Sequence, residues 1–450
     1  MAKSKDMDKE VKTQHSQVQI TAISSPEADY KRTTHPDAQW YPKAGLGLFF
    51  HWGISSVLGQ GDLSWSMMKR IPGGLGKAVA DYGLPAAQVV VPPNKYWAQA
   101  EKFSADRYNP DKWLAAAAAA GVKYAVLTTK HHDGFALWPS DQGDFNTKKY
   151  LGGRDLVGEF VQACRKNGIK IGFYYSPPDW YFHRHYMSFN YGDQQPPLGL
   201  DHEPVTVPEP PAGFEESFRQ YVRGQVLELI TRYGAIDVLW FDGNLPGKAD
   251  CITMEEIRAK QPGIAINPRG HGYGDFNTPE CRFPEQRLPG WWEYCHVFAD
   301  GAWGYLDHEI YKPLGWFLGE YSKARAWDGN FLPNVAPDSH GELPDGFYKR
   351  MAQLKEWMAA NAKAVVGTQP GNWPEQSNVP STRDGDALYL HLDWIFEGEV
   401  KVSGIAKPKS VKLLATGEDV PHSFKDGVLT FVLPSVMKSN KTDVVELRGC

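Results

Sequence analysis

Ile236-Asp237-Val238-Leu239-Trp240-Phe241-Asp242-Gly243 reads as a short apolar strand that delivers a carboxylate into a tight turn. It follows a helical pattern in which Phe214, Phe218, Tyr221, Val222, Val226, Leu229, Ile230 and Tyr233 share one face and stop at Gly234. The same unit repeats upstream. Residues 170–176 are a strand preceded by Leu156, Val157, Phe160, Val161 and Cys164 at helical spacing, ending at Gly168. Residues 122–129 are a buried strand. The helix before it has Asn109 as cap, Pro110 in its first turn and an alanine run to Ala120. Residues 45–52 form the first strand, and residues 264–267 the one after Asp242, with a helix over 253–260 between.

Strand and helix alternating over roughly 300 residues predict a parallel sheet with crossover helices. No glycine-rich dinucleotide fingerprint follows the first strand. Polar residues recur where strands end: His51, His131, His132, Tyr175, Asp242 and Arg269. Barrel enzymes build their sites at that rim. The fold expected is therefore α/β, a (β/α)8-like barrel rather than a doubly wound sheet. Past residue 367, Leu388, Leu390 and Leu392 alternate with Tyr389, His391 and Asp393, and Asp426-Gly427 reads as a hairpin turn. The division predicted is a polar N-terminal extension over 1–28, a barrel over 29–366 and a small antiparallel β domain over 367–450. The long proline-rich stretch 177–211 inside the barrel reads as a functional loop or a disordered one.

Composition narrows the function. The 450 residues are 42% hydrophobic and 22% charged, as in ordinary globular proteins. A net charge of −5 offers no basic surface for nucleic acid. No run approaches the ~20 apolar residues of a membrane span. The 16 Trp, 21 Tyr and 21 Phe favour a carbohydrate ligand, since flat aromatic faces suit sugar C–H surfaces. Five Cys without a CxxC pair argue against a zinc ribbon or thioredoxin-type site. The first 25 residues are polar and lack the apolar core of a signal peptide.

Asp242 reads ordinarily as a helix cap. Behind Trp240 and Phe241 at a barrel rim, however, an ionised carboxylate is costly unless it is paired or used. A retaining glycosidase needs a second carboxyl about 5–5.5 Å away. Glu280 and Glu293 are the candidates. Glu293, beside Trp291 and Trp292, has the apolar setting that raises an acid's pKa; its alternative role is a buried glutamate paired to arginine. His131 and His132 are adjacent, so on a strand they face opposite ways, and no third ligand has zinc-like spacing. They read as hydrogen-bonding groups for substrate hydroxyls, or as satisfied core histidines, with no metal or other cofactor expected. His51 shares their rim. Arg269 suits Asp242, a substrate hydroxyl or a surface ion pair. Trp65, Trp180 and Trp303 are sugar platforms or core. Gly73-Gly74-Leu75-Gly76-Lys77 lacks the Ser or Thr a phosphate loop carries after its Lys.

The ordered segments Gly47-Leu48-Phe49-Phe50-His51-Trp52-Gly53, Lys130-His131-His132-Asp133-Gly134-Phe135, Gly172-Phe173-Tyr174-Tyr175-Ser176, Trp240-Phe241-Asp242-Gly243, Asp275 to Glu280, Trp292-Glu293 with Cys295, Trp303-Gly304-Tyr305, and Asn330 to Pro337 are familiar together. On them the chain resembles the α-L-fucosidases of glycoside hydrolase family 29. The resemblance implies a barrel-like catalytic domain, a C-terminal β-sandwich, and retaining hydrolysis of terminal α-L-fucose without a cofactor. By it Asp242 is the nucleophile, and His51, His131, His132, Tyr174 or Tyr175, Trp65 and Arg269 lie around the sugar, with Trp303 a further binding candidate. Glu280 and Glu293 both stay open as acid/base. The partner implied is a fucosylated oligosaccharide or polysaccharide, with no nucleic acid or membrane. The resemblance implies a periplasmic or secreted protein; with no apolar signal-peptide core in the first 25 residues, the cytoplasm is the alternative. One departure is Ser64-Trp65-Ser66, where family members usually carry Glu before the tryptophan and Tyr after it. A sugar-binding relative without turnover, a glycosidase for another 6-deoxy or galacto-configured sugar, and a metal-dependent hydrolase are the competing readings.

Overall fold

The computed structural model describes residues 12, 14–20, 30–69, 89–191, 195–299 and 301–450. Most of the polar start, and the stretch 71–84 with its glycine-lysine run, therefore lie outside the described residues. Eight parallel strands form the first domain: β1 Gly47–Phe50, β2 Tyr124–Lys130, β3 Lys170–Tyr175, β4 Val238–Phe241, β5 Ala265–Ile266, β6 Phe276–Asn277, β7 Trp291–Val297 and β8 Asn330–Val335. They pair in the order β5-β4-β3-β2-β1-β8-β7-β6, so β8 returns beside β1 and the sheet curls into a nearly closed barrel. Across the remaining seam, Asp275 does the work of a ladder. Its amide donates to the Ile266 carbonyl at 2.6 Å, and its Oδ2 accepts from the Ile266 amide at 2.9 Å. Arg258 holds that fully buried carboxylate with bonds of 2.8 and 2.9 Å.

Helices Pro110–Ala119, Leu156–Lys166, Phe214–Arg232, Met254–Lys260, Leu314–Ala326 and Asp345–Asn361 are the main outer helices. Local chemistry sets their starts. Asn109 caps Lys112, Asp155 caps Gly158, and Thr253 with Glu256 forms a capping box.

Period-two alternation decides what faces the barrel axis. Phe49, Tyr124, Val126, Tyr174, Val238, Trp240, Ala265, Phe276, Cys295 and Leu332 form the inner cluster. Leu48, Phe50, Leu127, Phe173, Tyr175, Leu239 and Phe241 pack outward against the helices. Gly47 makes room on the inner face, since a Cβ there would stand 2.4 Å from the Tyr124 ring.

The tail carries two antiparallel sheets. One is ordered β13-β16-β11-β10-β9, from Ser410–Leu413, Asp443–Arg448, Ala387–Leu392, Ser381–Asp384 and Gln369–Pro370. The other is ordered β12-β15-β14, from Val400–Val402, Val428–Phe431 and Ser423–Lys425. Leu388, Leu390, Val400, Leu429, Phe431 and Val445 belong to one core between the sheets, which makes a sandwich. Asp426 and Gly427 both take positive φ, as the expected hairpin turn requires. The other face of β11 is also buried, because Ala387 and Tyr389 pack into the barrel's outer core. No described helix is long and apolar enough to cross a membrane.

Candidate active site

The strand ends converge on one cleft of about 440 Å³. His51, Trp65, His131, His132, Tyr174, Asp242, Arg269, Glu280 and Trp303 all line it, as do Phe49, Leu63, Trp240 and Cys295. Asp242 follows Val238 and Trp240 on the inward parity of β4. Its amide donates to the Tyr175 carbonyl at 3.0 Å, which fixes where the side chain leaves the strand. Gly243 then turns the chain with φ +123°, where a Cβ would stand 2.4 Å from Pro178.

Three groups address the Asp242 carboxylate. Tyr174 Oη donates to Oδ2 at 2.6 Å, Arg269 Nη1 donates to Oδ1 at 2.8 Å, and His132 Nε2 lies 3.6 Å from Oδ2. Arg269 is itself immobilised. Its Nε donates to Thr278 Oγ1 at 3.1 Å and its guanidinium carbon lies 4.4 Å above the Trp240 ring. Its second arm, Nη2, donates to Glu280 Oε2 at 2.7 Å. Asp242 and Glu280 thus share one guanidinium fork. Burial acts to raise the Glu280 pKa, but Arg269 and the nearby His15 outweigh it and hold the carboxyl below the ordinary range.

Glu293 belongs to a different layer. It is fully buried in the barrel interior, where Trp240 Nε1 donates to Oε1 at 2.9 Å and Tyr41 Oη to Oε2 at 2.9 Å, with Tyr124 Oη also on Oε2. Trp240 lies between it and the cleft. Burial lifts its pKa to about 7 against those hydrogen bonds. The aromatic setting read from the sequence is present, but the partners are tyrosines and a tryptophan, not an arginine.

Tyr175 does not join the cleft. It stands one residue out of phase with Tyr174, so it faces the outer helices and donates to Gln225 Oε1 at 2.8 Å. Of the two tyrosines, only Tyr174 reaches Asp242. His131 and His132, by contrast, both line the cleft. β2 ends at Lys130, so strand alternation no longer governs them.

Each histidine is oriented from behind. Asn334 Nδ2 donates to the Trp303 carbonyl at 2.7 Å, which turns its Oδ1 toward His51 Nδ1 at 2.6 Å. Nδ1 therefore carries the proton and Nε2 is an acceptor. Ser176 Oγ donates to the Pro178 carbonyl at 2.7 Å and so accepts from His132 Nδ1 at 2.6 Å, with the same result. Ser64, fully buried, brings Oγ to 2.5 Å from His131 Nδ1 and accepts the Asp133 amide at 2.9 Å. Burial pushes His51 down to about 4 and His132 to about 3, and takes His131 well below the ordinary range. All three are neutral at pH 7. Trp65 stands edge-on to Trp180 at 5.1 Å and to His132 at 5.5 Å. His131, His132 and Asp242 bring donor atoms within 4.8 Å of one another. A cation held there would compete with Arg269, whose guanidinium already pairs with Asp242.

Asn334, Ser176 and Thr278 fall inside the motif segments but had no role assigned from the sequence; the structure shows them holding His51, His132 and Arg269. The sequence also concealed Gln14, His15, Val18 and Ile20, which line the cleft from the polar N-terminal segment.

The model of the family described as Alpha-L-fucosidase matches residues 11–363. The tissue alpha-L-fucosidase of Bos taurus is 27% identical over 428 residues, covering 89% of this chain and 85% of that protein. The alpha-L-fucosidase isoenzyme 1 of Paenibacillus thiaminolyticus has a similar structure, at TM-score 0.75 and 30% identity over 92% of this chain and 98% of that one. The Thermotoga maritima alpha-fucosidase in complex with fucose gives TM-score 0.68 at 26% identity, covering 91% and 96%.

Proposed function

Since this chain belongs to the alpha-L-fucosidase family of glycoside hydrolases, we propose that it removes terminal α-L-fucose from glycans by double displacement, with Asp242 as nucleophile and Glu280 as acid/base. The observation that carries the assignment of the pair is the Arg269 fork, which joins both carboxylates at 2.8 and 2.7 Å.

In the first step an Asp242 oxygen attacks the anomeric carbon while the glycosidic C–O bond breaks. Glu280 gives its proton to the departing oxygen. In the second step Glu280 takes a proton from water, whose oxygen attacks the same carbon and releases the Asp242 carboxylate. Tyr174 and Arg269 donate to the two Asp242 oxygens and hold the carboxylate in place for attack. Glu280 must acquire a proton before the first step, and its resting partners oppose this. The neutral histidines present Nε2 of His51 and His132 as acceptors for sugar hydroxyls. Trp65 and Trp303 supply apolar faces for the ring and for the fucose methyl group.

Hydrolysis of an aryl α-L-fucoside, with Asp242→Gly alongside, tests the reading. Turnover by the parent that disappears in the variant supports it. A parent that binds fucose without hydrolysing it supports instead a sugar-binding role.

A further inference from the structure

The cleft is covered by a segment that no strand or barrel helix supplies. Residues 14–20 make a helical turn closed by bonds from the Val18 amide to the Gln14 carbonyl at 3.1 Å and from the Ile20 amide to the His15 carbonyl at 2.7 Å. Side chains on both sides attach this turn to the barrel. His15 Nε2 lies 3.1 Å from Glu280 Oε2, Gln17 Nε2 donates to the Asn190 carbonyl at 3.1 Å and to Met68 Sδ at 3.3 Å, and Val18 is 2% exposed in the outer core. On its far side Val18 also lines a second, wider cleft of about 1500 Å³, shared with Trp180, Met187 and Phe218.

We propose that residues 14–20 are a strap that closes the cleft, occupies Glu280 and partitions the cleft from its wider neighbour, so that a glycan gains access when the strap lifts. The proposal rests on the glycosidase reading for what the cleft binds, but not for the closure itself. Glu280 Oε2 already receives Arg269, and His15 adds a second partner on the same oxygen. With both in place the carboxyl is held ionised, which opposes its use as an acid. Lifting the strap removes one partner, uncovers the carboxyl and joins the two clefts into a space that extends beyond a single sugar. The attachment suits a reversible closure. Polar contacts from the His15 and Gln17 side chains and one buried valine are set against the conformational entropy of seven ordered residues.

The test is a full-length His15→Ala/Gln17→Ala variant, with a Val18→Ala variant as a second probe should the first fold poorly. The first readout is independent of activity: the rate at which a water-soluble carbodiimide modifies Glu280, followed by peptide mass spectrometry. The strap predicts a several-fold faster modification in the variant, and an unchanged rate overturns it. The second readout is kcat/KM on an aryl α-L-fucoside and on a fucosylated oligosaccharide. A rise in the variant, larger for the oligosaccharide, is the expected result. Faster labelling with a fall in kcat/KM would make the segment part of the working site and overturn the strap. Faster labelling with no fucoside turnover by either protein would leave the strap standing and overturn the fucosidase reading.

Discussion

Arg269 Nη1 donates to Asp242 Oδ1 at 2.8 Å from a guanidinium fixed by Thr278 and stacked over Trp240. That relationship places a permanent positive charge between the two carboxyls of the cleft, because the other arm holds Glu280. An Arg269→Met variant takes from Glu280 the charge that holds its carboxyl low, so the Glu280 pKa rises. The expected result is a kcat/KM profile whose basic limb moves to higher pH, with a lower maximum. A profile that keeps its position would separate Arg269 from the reacting pair.

Tyr174 and Tyr175 are adjacent in sequence and opposite in orientation. Tyr174→Phe removes a 2.6 Å bond to a charged carboxylate, worth about 1.5–3 kcal/mol, which is about 10–160-fold in kcat/KM. Tyr175→Phe removes a bond to Gln225 among the outer helices. It should lower stability by about 1 kcal/mol and leave kcat/KM unchanged. Kinetics and thermal melts of the pair check both.

Glu280 and Glu293 separate by leaving group. Glu280→Ala should lower kcat by about 10²–10⁴-fold on a fucosylated oligosaccharide, the range for loss of a positioned acid, and far less on an activated aryl fucoside. Azide should restore turnover of the aryl substrate in that variant. Equal loss on both substrates would remove Glu280 from the proton transfer.

Glu293 is a stability group with a predictable pH signature. Its pKa is about 7 in the folded protein against an ordinary 4.5, because burial penalises the charge. A raised pKa means that the folded state binds the proton more tightly than the unfolded chain. The stabilisation is complete below about 4.5 and disappears as pH rises through about 7. The melting temperature should therefore fall between pH 5 and 8, and Glu293→Gln should flatten that fall. A variant that melts in parallel with the parent at every pH would contradict this.

Much of this arrangement was legible in the sequence, for physical reasons that differ by element. The strand ending in Trp240-Phe241-Asp242 is apolar enough to read directly, and its parity alone sends Asp242 inward with Trp240. The helix over Leu156–Lys166 declares itself through one apolar face that stops at Gly168. Between 270 and 330 the pattern fades. There β6 has only two residues, and helix Leu314–Ala326 is buried on nearly every side, leaving no polar face to mark its period. Tyr175 was misplaced among the binding residues because a rim position was inferred without its parity. Composition could not separate Glu280 from Glu293: the apolar neighbours belong to Glu293, and only the fold shows that Trp240 intervenes between it and the cleft. The segment with His15 and Val18 carries no periodic signal at all; its placement depends wholly on tertiary contacts.

The most direct test of the central claim is to treat the protein with a slowly released 2-deoxy-2-fluoro-fucosyl substrate analogue and map the adduct by peptide mass spectrometry. The account predicts one fluorofucosyl group esterified to Asp242, with loss of turnover in step with labelling. An adduct on another carboxylate, or steady turnover of an aryl fucoside by Asp242→Gly without added azide, would contradict it.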